Sequence, residues 1–475
     1  MRVTASMTTS GTLLDINRNV SRLDGIERRI AASKNILRPS DDPIIAARAL
    51  KFRSNVAEAE QYQKNIEQGL SWMDTTDRAF FNVVDILDKI RVLANQGATG
   101  TNAYASRKAI ADDVEQLAAQ LGKEMNATYV GRYVFSGFRT DEPLVFERGD
   151  SKEYLIEQAF YESDVETTKA LQRVVGPMAN DDRLKMSDVN ILKMAYANSG
   201  APTVSISSGG LVVTPTVTEK SLAAADVYEA FEATPVDYAV TFIKETGELV
   251  LGDNAKDFLE GGVMTVRYEK NGFLEGDLNP IVNFRCRDLQ TGLTYNMDDH
   301  NLEYEFAVNT RVGVNTLGKD VYTDKLHANL RAFVNFVKNV AITDEKWLKT
   351  KFAQENPSFT EEQVNAAVHK KLADEKQRAE KSLRDRFNNL IGVIGESFSS
   401  ASARQADLGA RMDRLNVMSN RIKSDIINFK ELLSSNEDID IAEAGIELSV
   451  ARAAYDASLQ VGAKVMRLTL ADYIR

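Results

Sequence analysis

The stretch from Pro39 to Met73, PSDDPIIAARALKFRSNVAEAEQYQKNIEQGLSWM, decides the fold. Ser40-Asp41-Asp42-Pro43 is a helix start: short polar side chains accept hydrogen bonds from the first free N–H groups, and a proline loses nothing at the first helical position. Behind it Ile45, Ala49, Phe52, Val56, Ala59, Ile66, Leu70 and Met73 lie on one a/d stripe, broken only by Gln63. A long helix with one such stripe needs a helical partner along its length.

The same spacing extends in both directions. On the N-terminal side Leu13, Ile16, Val20, Leu23 and Ile30 step by three, four, three and seven. On the other side come Phe80, Val84, Leu87 and Ile90, then Ile110, Val114, Leu117 and Leu121. Near the C-terminus Leu408, Met412, Leu415, Ile422, Ile426, Phe429 and Leu433 repeat the pattern, and Ile446, Val450, Ala453, Ala457, Val461, Val465 and Leu468 close it.

Proline and glycine separate these arms from the centre. None of the nine prolines falls between 44 and 142, only Pro357 comes after 280, and residues 141–319 hold 14 of the 27 glycines. Both residues punctuate turns and interrupt helices. The centre alternates as strands do. Tyr238–Ile243 and Leu249–Leu251 flank a turn at Glu245-Thr246-Gly247, and Val263–Tyr268 followed by Asn271-Gly272 predicts a second hairpin. Ile281–Cys286 and Tyr304–Val314 predict further strands. Thr360-Glu361-Glu362-Gln363 is a capping box that returns the chain to helix, in a charged insertion near 343–385.

The expected fold class is α+β: an elongated rod with a long antiparallel coiled-coil stem built from both termini and a β-rich central lobe inserted between them. The expected divisions are terminal assembly helices at 1–43 and 431–475, a helical stem at 44–140 and 320–430, and the lobe at 141–319.

Composition narrows the function. A net charge of −11 and a pI near 5.1 oppose nucleic acid as the main partner, since phosphate binding needs a basic surface. No apolar run is long enough to insert into a membrane, and the N-terminus lacks the apolar core of a cleaved signal peptide. The single cysteine, Cys286, excludes an internal disulfide framework. His300, His327 and His369 are not at metal-ligand spacing, and no phosphate-cradling glycine motif or nucleophile elbow occurs. Asp253, Asp257 and Glu260 lack calcium-loop spacing. No catalytic residue, metal or cofactor is expected, and the chain reads as structural rather than enzymatic.

The ends are unusual. Residues 1–51 contain no aromatic side chain, and 431–475 contain only Tyr455 and Tyr473. Residues 1–43 carry seven Lys/Arg against five Asp/Glu, whereas 431–475 carry four against eight, so the ends attract each other or alternating neighbours. Their aliphatic stripes are therefore the candidate assembly interface: Leu13, Ile16, Val20, Leu23 and Ile30 at one end, and Ile446, Val450, Ala457, Val461, Val465 and Leu468 at the other.

The residues resemble a known family. The N-terminal stretch with SDDP, its heptad helices, and the C-terminal NEDIDIAEAGIELSVARAAYDASLQVGAKVMRLTLADYI are similar to the terminal regions of bacterial flagellins. That family has Asp438, Asp440 and Ala442 in the segment between its two C-terminal helices. Asn126-Ala127-Thr128 with GRYVFSGF at 131–138, NTRVGVNTLGKDVY at 309–322 and the start MRVTASM resemble the hook-associated protein 3 branch, the hook–filament junction proteins of that superfamily. The resemblance covers about 1–140 and 300–475. It implies export through the flagellar type III apparatus without signal cleavage, and an extracellular place in the flagellum. It also implies self-assembly as a helical ring, with hook-associated protein 1, flagellin and an export chaperone as partners. Flagellin itself, the filament subunit, is the alternative.

Overall fold

A computed structural model describes residues 5–99, 104–173, 184–221, 227–228, 237–297, 300, 302–307, 309–339 and 344–473. The chain is α+β, with long helices at both ends and a β-rich centre. The opening helices are α1 (Ala5–Ala32), α2 (Pro43–Ala98) and α3 (Tyr104–Glu124), followed by a short hairpin of β1 (Thr128–Tyr129) and β2 (Arg132–Tyr133). The centre holds β3 (Asp150–Tyr161), β4 (Glu166–Arg173), β5 (Leu184–Lys193), β6 (Thr203–Ser208), β7 (Leu211–Val213), β8 (Thr216–Lys220), β9 (Ala239–Ile243) and β10 (Glu248–Leu251). It continues with α4 (Asp253–Leu259), β11 (Val263–Phe273), α5 (Pro280–Asn283), β12 (Arg285–Asp288), β13 (Thr294–Tyr295), β14 (Glu303–Ala307) and β15 (Thr310–Gly313). Then come α6 (Asp324–Asn339), α7 (Glu345–Glu355), α8 (Glu361–Glu437) and α9 (Ile441–Tyr473).

The start of α2 forms as its sequence dictates. The Asp42 carboxylate accepts hydrogen bonds from the backbone N–H groups of Ile44 at 2.9 Å and Ile45 at 3.1 Å, and Pro43 opens the helix. The capping box of α8 is also present. Thr360 N–H donates to Gln363 Oε1 at 2.9 Å, and Gln363 N–H donates to Thr360 Oγ1 at 3.4 Å.

Contacts divide the chain into two compact units. The first comprises 1–68, 305–311 and 414–475, and the second comprises 69–304 and 312–413. The divisions therefore cut α2 and α8 in mid-helix. In the first unit, Asn436 Nδ2 donates to Ile45 O at 3.1 Å, Lys430 pairs with Glu60 at 2.8 Å, and Gln63 Nε2 donates to Ser419 Oγ at 3.2 Å. Rising numbers on α2 meet falling numbers on α8, so the two run antiparallel.

Among the described residues the second unit has a helical core and, besides the β1–β2 hairpin, two larger sheets. Met73, Phe80, Val83, Leu87 and Ile90 of α2 are buried, as are Ala111, Val114 and Leu121 of α3 and Leu383, Phe387, Leu390 and Ile394 of α8. Phe80 meets Phe135 edge-on at 5.0 Å, which seats the chain after the β1–β2 hairpin on α2. The sheets have strand orders β4-β5-β10-β9-β8 and β13-β12-β3-β11-β6-β7, antiparallel except for the parallel β8–β9 pair. Arg331 on α6 holds the segment after β5 and the β9–β10 turn of the first of these sheets: its guanidinium donates to the carbonyls of Ala195, Met194 (2.9 Å) and Thr246 (3.2 Å).

Two strand expectations need correction. The hairpin turn read at Asn271-Gly272 is absent: β11 continues through it to Phe273, and its register with β3 shifts between Asn271 and Phe273. Gly272 has φ +64, a conformation that suits a bulge as well as a turn. Ile281–Asn283 is the short helix α5 rather than a strand. Asn279 caps it by accepting from Ile281 N–H at 3.2 Å, and Pro280 takes the first turn. The hairpin around Gly247 does form, as β9 paired antiparallel with β10.

Candidate assembly surface of the terminal helices

The terminal helices pair with each other before any neighbour is considered. After α1, Ser33 turns the chain with φ +55. Lys34 then reaches Asp438 at 2.8 Å and Glu437 at 3.2 Å, while Asn35 N–H donates to Glu437 O at 2.8 Å. The Asp438 hydrogen bond raises the Lys34 ammonium above its ordinary range, and Lys34 and Ser434 hold the Asp438 carboxyl below its own. Arg53 also pairs with the buried Glu437. Asp440 starts α9 by accepting from Ala442 N–H at 2.8 Å and Glu443 N–H at 3.2 Å. Asp438 and Asp440 thus lie between α8 and α9, and Ala442 is the second residue of α9.

Farther along, Arg29 pairs with Glu447 at 3.1 Å, and a Cβ placed on Gly462 would meet Ile16 Cδ1 at 3.0 Å. Partner numbers of 438, 447 and 462 for 34, 29 and 16 make α1 and α9 antiparallel. The seam is built from Thr12, Ile16, Asn19, Leu23, Ile26 and Ile30, of which Ile26 is fully buried, against Ala444, Leu448, Ala451, Tyr455, Ser458 and Gly462. Both sets step by four and three, which keeps one face toward the partner.

The structure separates the candidate residues. Ile16, Leu23 and Ile30 lie on the seam, half-buried. Leu13 and Val20 point outward, 49% and 41% exposed. On α9, Ile446, Val450, Ala457 and Val461 are all exposed on the side away from the seam. Val465 and Leu468 belong to α9, but their side chains lie outside the described residues. The single stripe read from each end is therefore two faces in α1 and one outer face in α9. The reading missed Ile26, Ala444, Ala451 and Gly462. The three on α9 fall on the regular four–three spacing of the seam, which the large aliphatic neighbours obscured.

More aliphatic side chains lie exposed in the same unit, among them Met7, Leu14, Ile44, Leu50 and Ile441. A pocket of about 390 Å³ opens beside the α1–α2 connection, with Leu37 and Leu50 at its edge and Arg53 and Glu437 in its wall. Scattered apolar exposure is ordinary, whereas such a concentration makes this a candidate interaction surface.

Chemical sites are sparse by comparison. Among the described residues no three His, Cys, Asp or Glu side chains stand together as metal ligands, and no helix is long and apolar enough to cross a membrane. His327 is a core residue, with Nδ1 at 3.1 Å from the Tyr322 hydroxyl and Nε2 at 3.8 Å from Asp277. Burial, assisted by the nearby Arg331 charge, pushes its pKa down to about 3, so it is neutral. Burial likewise pushes the Cys286 thiol up to about 12, which leaves it unreactive as a nucleophile.

The surface so defined coincides with a known pair of modules. Residues 3–140 match the bacterial flagellin N-terminal helical region, and residues 391–474 match the bacterial flagellin C-terminal helical region. The two ends of this chain are thus similar to flagellin terminal regions. Over 114 residues the chain is 28% identical to phase 1 flagellin of Salmonella naestved and to flagellin of Salmonella budapest, covering 24% of this chain and 23% of each relative. The match spans about a quarter of the length of those curated relatives.

Among solved structures, the chain is similar to a flagellar hook-associated protein from Vibrio parahaemolyticus, with 10% identity, 84% of this chain and 100% of that chain covered, and a TM-score of 0.40. It is also similar to flagellar hook associated protein-3 from Legionella pneumophila, with 12% identity, 81% and 97% covered, and a TM-score of 0.33. A third similar structure is FlgL from Xanthomonas campestris, with 11% identity, 81% and 98% covered, and a TM-score of 0.30.

Proposed function

We propose that this chain is a non-enzymatic structural subunit of the bacterial flagellum, acting as the junction protein between hook and filament. One observation carries the reading: flagellin-type N- and C-terminal regions pair in one antiparallel helix pair whose outer faces hold exposed aliphatic side chains. Such faces are covered only by neighbouring subunits. Ile446, Val450, Ala457 and Val461, continued by Val465 and Leu468, are the α9 contribution, with Leu13 and Val20 from α1. Ile16, Leu23 and Ile30 hold the pair together. In this reading 1–43 and 431–475 form the inner core of the assembly, 44–140 and 320–430 the stem, and 141–319 the outer lobe.

The partners proposed are further copies in a helical ring, hook-associated protein 1 on the hook side, flagellin on the filament side and an export chaperone before secretion. The chain would leave the cell through the flagellar type III apparatus without signal cleavage. The resemblance of NAT at 126–128 and GRYVFSGF at 131–138 to junction proteins favours this place. Immunogold labelling of isolated flagella tests it, with one band expected at the hook–filament boundary. The second reading, the filament subunit itself, is favoured by the identity of the curated relatives; label along the whole filament would select it.

A further inference from the structure

Away from the terminal helices, the second unit contains a cleft of about 720 Å³. One wall is the end of β3, the short turn Glu162–Asp164 and the start of β4. The other is the first turn of α6 and the middle of α8. Tyr161 stands at the rim, 54% exposed.

The cations of this cleft are already engaged. Lys193 pairs with Glu166 and donates to Asn329 Oδ1 at 2.7 Å, and Lys325 pairs with Glu396 at 3.2 Å. Asp320 is held by Arg404 at 3.0 Å. Two carboxylates remain, Asp164 and Asp324. Asp324 accepts from Gln158 Nε2 at 2.7 Å and from Lys325 N–H at 2.9 Å, and Asp164 accepts from Tyr161 N–H at 2.8 Å. Among the described residues neither has an ion-pair partner. Burial foremost, with the Asp164 charge adding to it, raises the Asp324 carboxyl above its ordinary range.

An independent feature points into the same space. Ser397 on α8 lines the cleft and is only 6% exposed, yet its hydroxyl makes no hydrogen bond among the described residues. A hydroxyl that opens to the cleft without a protein partner is free to bond whatever occupies the space before it. Phosphate and other anions are the wrong charge for these walls. A divalent metal lacks a third ligand, since no such group is present among the described residues.

We infer that this cleft binds an organic cation, a primary ammonium or guanidinium group, with Asp324 and Asp164 as its counter-charges and the Ser397 hydroxyl as a further hydrogen-bond acceptor. Charge-assisted hydrogen bonds of this kind strengthen in a partly desolvated cleft. The group can arrive on a free polyamine or on the lysine or arginine side chain of another chain.

Calorimetric titration of the full chain with spermidine and with acetyl-arginine amide reads both sources, with glucose and inorganic phosphate as controls. Saturable binding of at least one cation is expected, weakened about tenfold or more by Asp324→Asn and by Asp164→Asn. The tighter of the two cations identifies the source. Asp324 begins α6, so circular dichroism accompanies each variant; if Asp324→Asn unfolds, Asp164→Asn and Ser397→Ala decide. Absence of saturable binding by either cation up to about 10 mM overturns the inference, as do unchanged affinity in Asp164→Asn and equal binding of phosphate.

Discussion

Val461→Asp separates the two faces of α9. In the single chain Val461 is 53% exposed on the side away from the α1 seam, so a carboxylate there meets water. Exposed substitutions of this kind stay within about 0.5 kcal/mol, and the purified chain should keep its helical content and melting temperature. In an assembly that covers this face the balance changes. Complete burial of valine is worth about 1.5 kcal/mol or somewhat more, and roughly half remains to be gained, so the lost apolar term is about 1 kcal/mol. Burying an unpaired carboxylate adds several kcal/mol. A total of about 4 kcal/mol per contact lowers the association constant on the order of a thousandfold. Ile26→Asp is the contrasting case: Ile26 is buried in the seam, so its charge should part α1 from α9 in the isolated chain itself. Circular dichroism with thermal melting reads the monomers, and swimming with filament attachment reads cells making each variant. Normal swimming by Val461→Asp cells would refute the assembly role of the outer face. Unfolding of the Val461→Asp monomer would show instead that this face belongs to the chain's own core.

Arg331→Ala should destabilise the second unit by about 3 kcal/mol or more, because the carbonyls of Ala195, Met194 and Thr246 lose their donor; urea unfolding followed by circular dichroism measures it. Gly97→Ala should cost about 1–3 kcal/mol, seen as a lower melting temperature, since an added Cβ would press into the Phe387 ring. Burial pushes the Glu166 carboxyl up, but Lys193 and Arg386 more than offset it, so its folded value is depressed. Its contribution is present above the ordinary carboxylate range and lost as pH falls through the folded value. Glu166→Gln should therefore destabilise most at neutral pH, and urea titrations should converge with the parent as pH falls through that depressed folded value.

The arms were legible because their signals are local and repeated. Ser40-Asp41-Asp42-Pro43 and Thr360–Gln363 cap helices with their own side chains, so nothing distant had to be known. The centre was less legible where one signal serves two geometries. Asn271-Gly272 can close a hairpin or make a bulge, and only the length of the neighbouring β3 decides. Ile281–Cys286 alternates like a strand, yet Asn279 and Pro280 just before it start a helix. At the terminal surface, counting large aliphatics found the exposed face of α9 and overlooked its seam. Alanine, serine and glycine pack a close helix pair without weighing in a hydrophobic count. The cleft beside Asp324 left no trace in sequence, because its lining comes from segments more than 200 residues apart.

In the proposed assembly, the small residues of the α9 seam bear on how the subunit behaves at low and high concentration. Ala444, Ala451 and Gly462 bury little apolar area, so the α9 side of the seam contributes less than a row of large aliphatics would. Ile446, Val450 and Val461 face outward, where a single collision covers only a fraction of them. Two chains meeting in dilution would gain little and separate. A chain arriving at a growing edge, flanked on several sides at once, would gain much more. Growth of the proposed assembly would then have a threshold: below it the protein would stay monomeric, and above it subunits would add to existing ends faster than new ends nucleate.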